Sequence, residues 1–232
     1  MNGYLNEYDP DNDFDSVFTK ATATLIAARM LPAASVLDLG CATGLMAAEL
    51  AERGPATNYL GLDHSEEYLE TARAKQIPGA TFQRADLNEL DAFNDRYDHV
   101  LLTNIIHEVD SPTVLLNQAA RLLGRGGQVH VTLQNPASVH RLVALELGMI
   151  SSLETISERG QMYSTRRMIN QGQLVTMVAS SGLSVQETRG VFLKPFPNSV
   201  LEGLEPPLIE ALDVAGRFFP ENCAMNYVRA SN

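Results

Sequence analysis

Short apolar runs alternate with longer amphipathic segments along most of the chain. Apolar runs bounded by glycine or polar residues predict buried strands, and apolar residues at three- and four-residue spacing predict helices. The predicted strands are residues 36–39, 59–63, 80–84, 97–103, 128–133, 183–190 and 224–229. The predicted helices are residues 13–30, 45–53, 65–75, 111–122, 135–148 and 171–181, and a last helical segment, 199–219, is interrupted by Pro206-Pro207. Strands that alternate with helices in this way predict an α/β fold.

The first predicted strand leads into a glycine turn and then a helix, in the stretch S-V-L-D-L-G-C-A-T-G. Such a turn typically cradles a nucleotide-like ligand, because very small residues let the backbone approach it closely. Ala42 and Leu45 break the dinucleotide pattern G-x-G-x-x-G twice, and no lysine follows Gly44 as in a Walker loop. Asp38 would repel a pyrophosphate but suits an ammonium and a sulfonium. S-adenosylmethionine carries both groups, with its carboxylate placed near the helix N-terminus.

Two further acidic residues follow the next two strands. Asp63 ends the second strand about 20 residues beyond the turn, where a carboxylate can accept both ribose hydroxyls. Its alternative role, capping the following helix, can be filled by Ser65. Asp86 follows the third strand and could accept from an adenine amino group, with Leu87 packing on the ring. A capping role for Asp86 stays open.

Length and composition predict one α/β domain with room for insertions, since the chain has 232 residues and 45% hydrophobic content. Residues 1–34 are interpreted as an N-terminal arm and helix, and residues 35–148 as the cofactor-binding core. Residues 149–170 and 191–219 are two inserted stretches, which we interpret as a cap over the substrate. Surface decoration or a dimer contact is the alternative for these stretches.

Net charge and apolar content limit the classes of partner that this protein can have. A net charge of −11 argues against a nucleic-acid substrate, so a small-molecule acceptor is expected. No apolar run approaches the ~20 residues of a membrane helix, which predicts no membrane partner. The acidic first residues and the two cysteines predict a cytoplasmic protein with neither disulfide framework nor metal spacing. A monomer or a homodimer is expected.

Five segments, in order and spacing, resemble the class I S-adenosylmethionine-dependent methyltransferases, of the small-molecule type related to quinone-biosynthesis enzymes. The segments are D-L-G-C-A-T-G, L-G-L-D, R-A-D-L, Y-D-H-V-L-L-T-N-I-I-H-E-V and L-L-G-R-G-G-Q-V. They cover residues 35–133. Ala42 stands where the family more often has glycine, and Arg125 replaces its usual proline. The resemblance implies a Rossmann-like, doubly wound sheet of seven strands whose last strand is antiparallel, with helical insertions forming a cap.

The matched motifs imply a set of cofactor-binding residues for S-adenosylmethionine, which becomes S-adenosylhomocysteine after transfer. These are Asp38, Gly40, Cys41, Ala42, Gly44, Asp63, His64, Asp86, Leu87 and Asn104. His107 is the predicted catalytic base, because it follows the fourth strand at the ligand-binding edge. The family often has Glu-His here, whereas this chain has His107-Glu108, so a structural or substrate-orienting histidine stays open.

Residues of the predicted cap are candidates for substrate binding. They are Tyr163, Arg166, Arg167 and Lys194. The three cations could bind a carboxylate or a phosphate on the substrate, or pair with neighbouring acids instead.

The predicted function is methyl transfer from S-adenosylmethionine to a hydroxyl or carboxyl group of a small molecule, in secondary metabolism or in sugar or quinone tailoring. N-methylation of a small amine or peptide is an alternative. An NAD-dependent oxidoreductase and a cofactor-binding protein without turnover are alternatives of other classes.

Overall fold

The structure is a computed structural model and describes residues 10–54, 56–157, 160–161 and 164–232. Its strands are β1 (Ala34–Leu39), β2 (Ala56–Asp63), β3 (Ala80–Arg84), β4 (Tyr97–Thr103), β5 (Leu123–Gln134), β6 (Ser184–Val191) and β7 (Met225–Ser231). Its α-helices with described bounds are α1 (Ser16–Ala27), α2 (Leu45–Glu52), α3 (Glu66–Ala74), α4 (Pro112–Leu122), α5 (Val139–Glu146), α6 (Gln171–Ser180), α7 (Asn198–Leu201) and α8 (Pro206–Ala215).

The strands form one seven-stranded sheet in the order β3-β2-β1-β4-β5-β7-β6. Strands β1 to β5 pair in parallel, whereas β7 runs antiparallel to both of its neighbours, β5 and β6. The predicted Rossmann-like α/β sheet with an antiparallel last strand is therefore confirmed.

Helices cover both faces of the sheet. Successive side chains of a strand point to opposite faces, so a strand of apolar residues needs packing partners on both sides. On β1, Leu37 and Leu39 belong to the buried cluster that includes residues of α4 and α6. Val36 belongs to the other cluster, with residues of α1, α2 and α3. The strand is thus apolar on both faces, as its sequence predicted.

One predicted boundary was wrong, because the glycines before residue 128 were interpreted as a break between helix and strand. Strand β5 begins at Leu123 rather than at residue 128, so the G-R-G-G run belongs to the strand. Gly127 fits there because a Cβ would lie 2.9 Å from the Asp98 carbonyl oxygen. The helical segment predicted at residues 199–219 is interrupted before Pro206, as predicted, and forms α7, α8 and the 3₁₀-helix Gly216–Phe218. Pro206 begins α8, where a missing N–H costs nothing.

A cavity of about 1500 Å³ opens at the edge where the parallel strands end. Its lining combines residues that follow β1, β2, β3, β4 and β5 with residues of the two inserted stretches, from Ile150 to Arg166 and from Lys194 to Ser199. In the described part of the chain, no helix has the length and apolar character needed to cross a membrane. No group of three or more His, Cys, Asp or Glu side chains among those same residues is arranged to hold a metal ion.

Candidate active site

The turn after β1 is fastened to the end of β2 by backbone hydrogen bonds. The amides of Gly40 and Cys41 both donate to the carbonyl of Leu62, at 2.8 and 3.0 Å. Gly40 has φ +90°, and a Cβ there would lie 2.8 Å from the Ile105 side chain. Gly40 therefore satisfies two constraints at once, a left-handed backbone and close packing.

Ala42 also has a positive φ, of 45°. A left-handed conformation costs a residue with a Cβ roughly 1–2 kcal/mol, which explains why glycine is commoner at this point of related turns. The Ala42 amide donates to Asp63 Oδ2 at 2.9 Å, a charge-assisted bond that offsets part of this cost. The bond joins the glycine turn to the acid at the end of β2.

Asp38 is buried at the end of β1, with 1% of its surface exposed. The Tyr59 hydroxyl donates to Asp38 Oδ2, while Oδ1 has no hydrogen-bond partner among the described residues. Burial raises the pKa of Asp38 to about 7, and the nearby charge of Asp63 adds to the rise while the Tyr59 hydrogen bond opposes it. Asp38 lines the cavity, so its unpartnered oxygen is an acceptor for a cationic group of a ligand.

Asp63 is held by two backbone amides rather than by a cation. Oδ2 accepts from Ala42 and Oδ1 accepts from the Ser65 amide at 2.9 Å. Ser65 itself caps α3, since its side chain accepts from the Tyr68 amide. His64 is largely exposed, with its Nδ1 3.4 Å from Asp63 Oδ1. Both Asp63 and His64 line the cavity.

The remaining predicted cofactor residues, apart from Gly44, also line the cavity. Asp86 is exposed, and its Oδ1 accepts from the backbone and side-chain nitrogens of Asn88 at 2.8 Å. It therefore holds a turn, with no helix following it among the described residues before β4 for the alternative capping role, and it lines the cavity as well. Leu87 is buried, and Asn104 has φ +56° at the end of β4.

Gly44 and Cys41 pack against the protein interior. A Cβ at Gly44 would lie 3.0 Å from the Phe82 ring, and this glycine is not among the cavity-lining residues. Cys41 lines the cavity but is buried beneath Gly61 and Phe82. Burial raises the pKa of the Cys41 thiol far above its ordinary value, so it stays uncharged.

His107 lies in the loop after β4 and lines the cavity, and only 4% of its surface is exposed. Its Nδ1 has no hydrogen-bond partner among the described residues, and its Nε2 is 3.6 Å from Glu108 Oε1. Burial, and then the charge of Arg167, lower the pKa of His107 to about 4. Burial, and then the charge of Asp63, raise the pKa of Glu108 to about 8. Desolvation therefore favours the neutral form of both side chains.

The predicted substrate residues are placed differently from one another. Arg166 lines the cavity but forms an ion pair with Asp110, and its amide donates to the His107 carbonyl at 3.0 Å. Arg167 is not among the lining residues, and it donates to the carbonyls of residues 109 and 110. Lys194 lines the cavity and donates to Asn198 at 2.5 Å. Tyr163 lies outside the described residues.

Sequence reasoning missed several groups at the site. Tyr59 was counted only as part of a strand, although it pairs with Val36, two residues before Asp38, and its hydroxyl reaches that carboxylate. Glu108 was weighed only as a neighbour of His107. His140 and Arg141 follow β5, and both line the cavity. A signal for these two was available, because the ends of neighbouring parallel strands converge on one ligand edge.

The residues present fit S-adenosylmethionine better than a dinucleotide. The buried Asp38 offers an unpartnered oxygen to an ammonium, and Asp63 lies beside the turn where a ribose hydroxyl could donate. Two carboxylates next to the glycine turn would repel the pyrophosphate that a dinucleotide places there. The cavity is also large enough for the cofactor together with a second small molecule.

Comparison with known proteins agrees with this interpretation. Residues 36–127 match the methyltransferase domain family. A trans-aconitate 2-methyltransferase from Deinococcus radiodurans is 39% identical over 39% of this chain and 34% of its own length. A ubiquinone biosynthesis O-methyltransferase from Erwinia tasmaniensis is 27% identical over 70% of this chain and 67% of its own length. The match thus spans about a third of the first relative and about two thirds of the second.

Solved structures share the whole fold. A possible histamine N-methyltransferase from Thermotoga maritima has a TM-score of 0.66 at 21% identity, covering 97% of this chain and 95% of its own. An S-adenosylmethionine-dependent methyltransferase from Mesorhizobium loti has a TM-score of 0.63 at 20% identity, covering 91% and 98%. Together with the five motifs and the sheet order, these similarities support a class I S-adenosylmethionine-dependent methyltransferase.

Proposed function

We propose that this protein methylates a hydroxyl group of a small molecule, using S-adenosylmethionine as the methyl donor. One observation carries the proposal. A single cavity is lined both by the acids that follow β1, β2 and β3 and by the His107–Glu108 pair that follows β4. Cofactor and acceptor can therefore share one enclosure, which transfer of a group between them requires.

The acidic half of the cavity is proposed to bind the cofactor. Asp38, when ionised, accepts from the amino group, and Asp63 accepts from the ribose hydroxyls. Asp86, Leu87, His64 and Asn104 would border the adenosine. When bound, S-adenosylmethionine supplies a methyl group already activated by its sulfonium. The protein then needs only to align the acceptor and to remove its proton.

His107 is proposed to take the proton of the acceptor hydroxyl at Nδ1. This requires the tautomer whose Nε2–H points toward Glu108, which leaves the Nδ1 lone pair free. A pKa of about 4 keeps His107 unprotonated at neutral pH but makes it a weak base. Its role as a base therefore requires Glu108, whose pKa of about 8 favours the protonated form in the free protein, to ionise in the complex and stabilise the imidazolium.

The other tautomer makes His107 a positioning residue. If protonated Glu108 donates to Nε2, Nδ1 carries the hydrogen and can donate to the acceptor but cannot take its proton. An acceptor carboxyl group is already ionised at neutral pH and would need no base. This distinction separates hydroxyl methylation from carboxyl methylation in this site.

Binding and turnover experiments together test the proposal. Calorimetric titration should give S-adenosylhomocysteine binding and no NADH binding, and the product should raise the melting temperature. A panel of small phenols, alcohols, carboxylic acids and amines should then give methylated product from the hydroxyl compounds. Binding without turnover on the whole panel would favour a non-catalytic protein. Turnover on amines alone would favour N-methylation.

A further inference from the structure

The side of the cavity that follows β5 carries nitrogen donors that the proposed function has not yet used. His140 and Arg141 lie in the first turn of α5, and both line the cavity. Lys194 adjoins them, since its carbonyl accepts from the His140 amide at 3.1 Å. The three side chains thus come from two segments that meet at one wall of the cavity.

Two of these groups have nitrogen atoms with no partner among the described residues. They are Nδ1 of His140 and Nε of Arg141, both shielded from solvent by the protein. Arg141 is fixed in place by its Nη2, which donates to the carbonyls of Leu153 and Thr155 at 2.9 and 2.7 Å. A guanidinium held by one nitrogen presents its remaining N–H groups in a fixed direction.

Two cations, Lys194 and Arg141, lie close enough to this wall to affect the titration of His140. Burial lowers the pKa of His140 to about 3, and the charges of Lys194 and Arg141 lower it further, so the ring is neutral. Burial alone lowers the pKa of Arg141, which indicates a cation that has lost water without gaining an ion-pair partner. Such a group binds anions more strongly than an exposed arginine, because little remaining water has to be displaced.

Neighbouring cations are less suited than Arg141 to bind an anion, because they contact other side chains of the protein. Arg166 also lines the cavity, but Asp110 pairs with it. Lys194 donates to Asn198, whose side chain in turn donates to Asp15 at 2.8 Å. Arg141 is therefore the principal candidate for anion binding, with His140 as a second donor and Lys194 as a supporting charge.

We propose that Arg141, His140 and Lys194 bind an anionic group on the methyl acceptor, a carboxylate or a phosphate. The acceptor is then a small hydroxylated acid, with its anionic end at α5 and its hydroxyl directed to His107. This inference rests on the proposed function. Apolar residues of the same cavity, including Ile105, Ala144 and Met225, would contact the body of the acceptor.

The cofactor's own carboxylate is the other source of the same chemistry. The cofactor is expected between the ends of β1, β2 and β3, with its carboxylate near the start of α2. Strand β4 separates β5 from β1 in the sheet, so the wall at α5 lies on the acceptor side of that place. The two sources are nevertheless distinguished by measuring cofactor affinity and acceptor affinity in the same variants.

The test uses the full chain saturated with S-adenosylhomocysteine and follows its melting temperature. The probes are 4-hydroxybenzoate, 4-hydroxyphenyl phosphate and the neutral 4-hydroxybenzamide, each titrated into the millimolar range. We expect one or both anions to raise the melting temperature and the amide to leave it unchanged. Which anion is the better ligand tells a carboxylate site from a phosphate site.

Variants assign the effect to the proposed residues. Arg141→Gln should abolish the rise in melting temperature, and Lys194→Gln should reduce it, with S-adenosylhomocysteine affinity unchanged in both. Arg125→Gln removes the same charge from an exposed residue at the opposite end of β5 and should behave as wild type. Arg141→Lys keeps the charge without the planar fork and should restore part of the effect.

Three outcomes would overturn the inference. They are no stabilisation by either anion, equal stabilisation by the amide, and an unchanged anion response in Arg141→Gln. Loss of S-adenosylhomocysteine affinity in Arg141→Gln would instead assign the arginine to the cofactor carboxylate. Failure of the proposed function is recognised separately in the wild-type protein, by absence of S-adenosylhomocysteine binding or by absence of turnover on the hydroxyl compounds of the panel.

Discussion

The two sides of the cavity present different polar groups to their contents. Carboxylates that follow β1, β2 and β3 line one side, whereas His107, His140, Arg141 and Lys194 line the other, together with Glu108 and Asp110. The acids accept from backbone amides and from a tyrosine, and among the described residues His107, His140 and Arg141 each have a nitrogen without a hydrogen-bond partner. Under the proposed function, the first side suits a cationic cofactor and the second suits an acceptor with an anionic group.

The comparison also shows why one side was easier to identify from sequence. The acidic side is built on short turns that directly follow strands, so its residues stand at fixed spacing along the chain. The basic side is assembled from an α-helix, a loop and two inserted stretches that are far apart in sequence. Spacing therefore carries information on the first side and very little on the second.

The largest effect is expected at His107, at the boundary between the two sides. His107→Ala should lower turnover on a hydroxyl acceptor ~10²-fold or more, because a positioned base is lost. His107→Gln should be about as slow, since the amide cannot accept the proton. Steady-state kinetics with calorimetric S-adenosylhomocysteine affinity measures both, and the affinity should stay near wild type.

A buried histidine outside the cavity provides the control for His107. His99 lies in β4 and its Nδ1 is 2.9 Å from His130 Nε2. His99→Gln should lower the melting temperature without lowering turnover. If Gln at position 107 keeps most of the rate, His107 orients the acceptor. If Ala also keeps it, the histidine is structural.

A smaller effect is expected on the acidic side at Asp63. Asp63→Ala should weaken S-adenosylhomocysteine binding by at least ~1 kcal/mol, or roughly fivefold or more, because hydrogen bonds to a charged acceptor are lost. Turnover at saturating cofactor should fall less than affinity. Calorimetric titration gives the affinity and initial rates give the turnover.

Asp98 supplies a matched control for Asp63. Asp98 also accepts from a backbone amide, that of Ser35 at 2.8 Å, but it lies at the other end of the strands. Asp98→Ala should lower stability and leave cofactor affinity unchanged. An Asp63→Ala variant with wild-type affinity would remove this acid from the cofactor site.

A pH dependence of cofactor affinity is expected from Asp38. Its pKa in the free protein is raised to about 7, and the ionised form is the one that pairs with an ammonium. Below pH 7 the carboxyl must lose a proton before it can bind, so affinity should fall as pH falls, by at most about tenfold per pH unit. Calorimetry in buffers of different ionisation enthalpy should detect the released proton.

A substitution of Tyr59 should shift the pH at which cofactor affinity is lost. Its hydroxyl donates to Asp38 and opposes the rise in the pKa of that residue. Tyr59→Phe should raise the pKa of Asp38 further and shift the loss of affinity to higher pH. In Asp38→Asn the dependence should disappear. A flat profile in the wild type would contradict the proposed role of Asp38.

The smallest effect is expected in the proposed cap. If they cover the acceptor, residues 149–170 and 191–219 should exchange amide hydrogens faster than the sheet in the free protein. Cofactor with acceptor should slow exchange in both stretches. The bonds from Arg166 and Arg167 to the loop after β4 predict the smallest change near those residues. Equal protection in all states would favour decoration or a dimer contact.

The sequence by itself determined the sheet, the glycine turn and the acids that follow the strands. These features are local, because an apolar run, a turn and the residue after it are adjacent in the chain. Asp38, Asp63 and Asp86 could therefore be placed at one edge once the strands were known to be parallel. The start of β5 was wrong because strand pairing overrides the local glycine break.

Only the tertiary structure decided how the charges are used. Tyr59 approaches Asp38 through strand pairing, Asp110 pairs with Arg166, and the carbonyls of residues 153 and 155 hold Arg141. Each of these contacts joins residues separated by a loop, a helix or a whole strand. Burial then sets the protonation of Asp38, His107 and His140, because the cost of removing a charge from water depends on the packed surroundings.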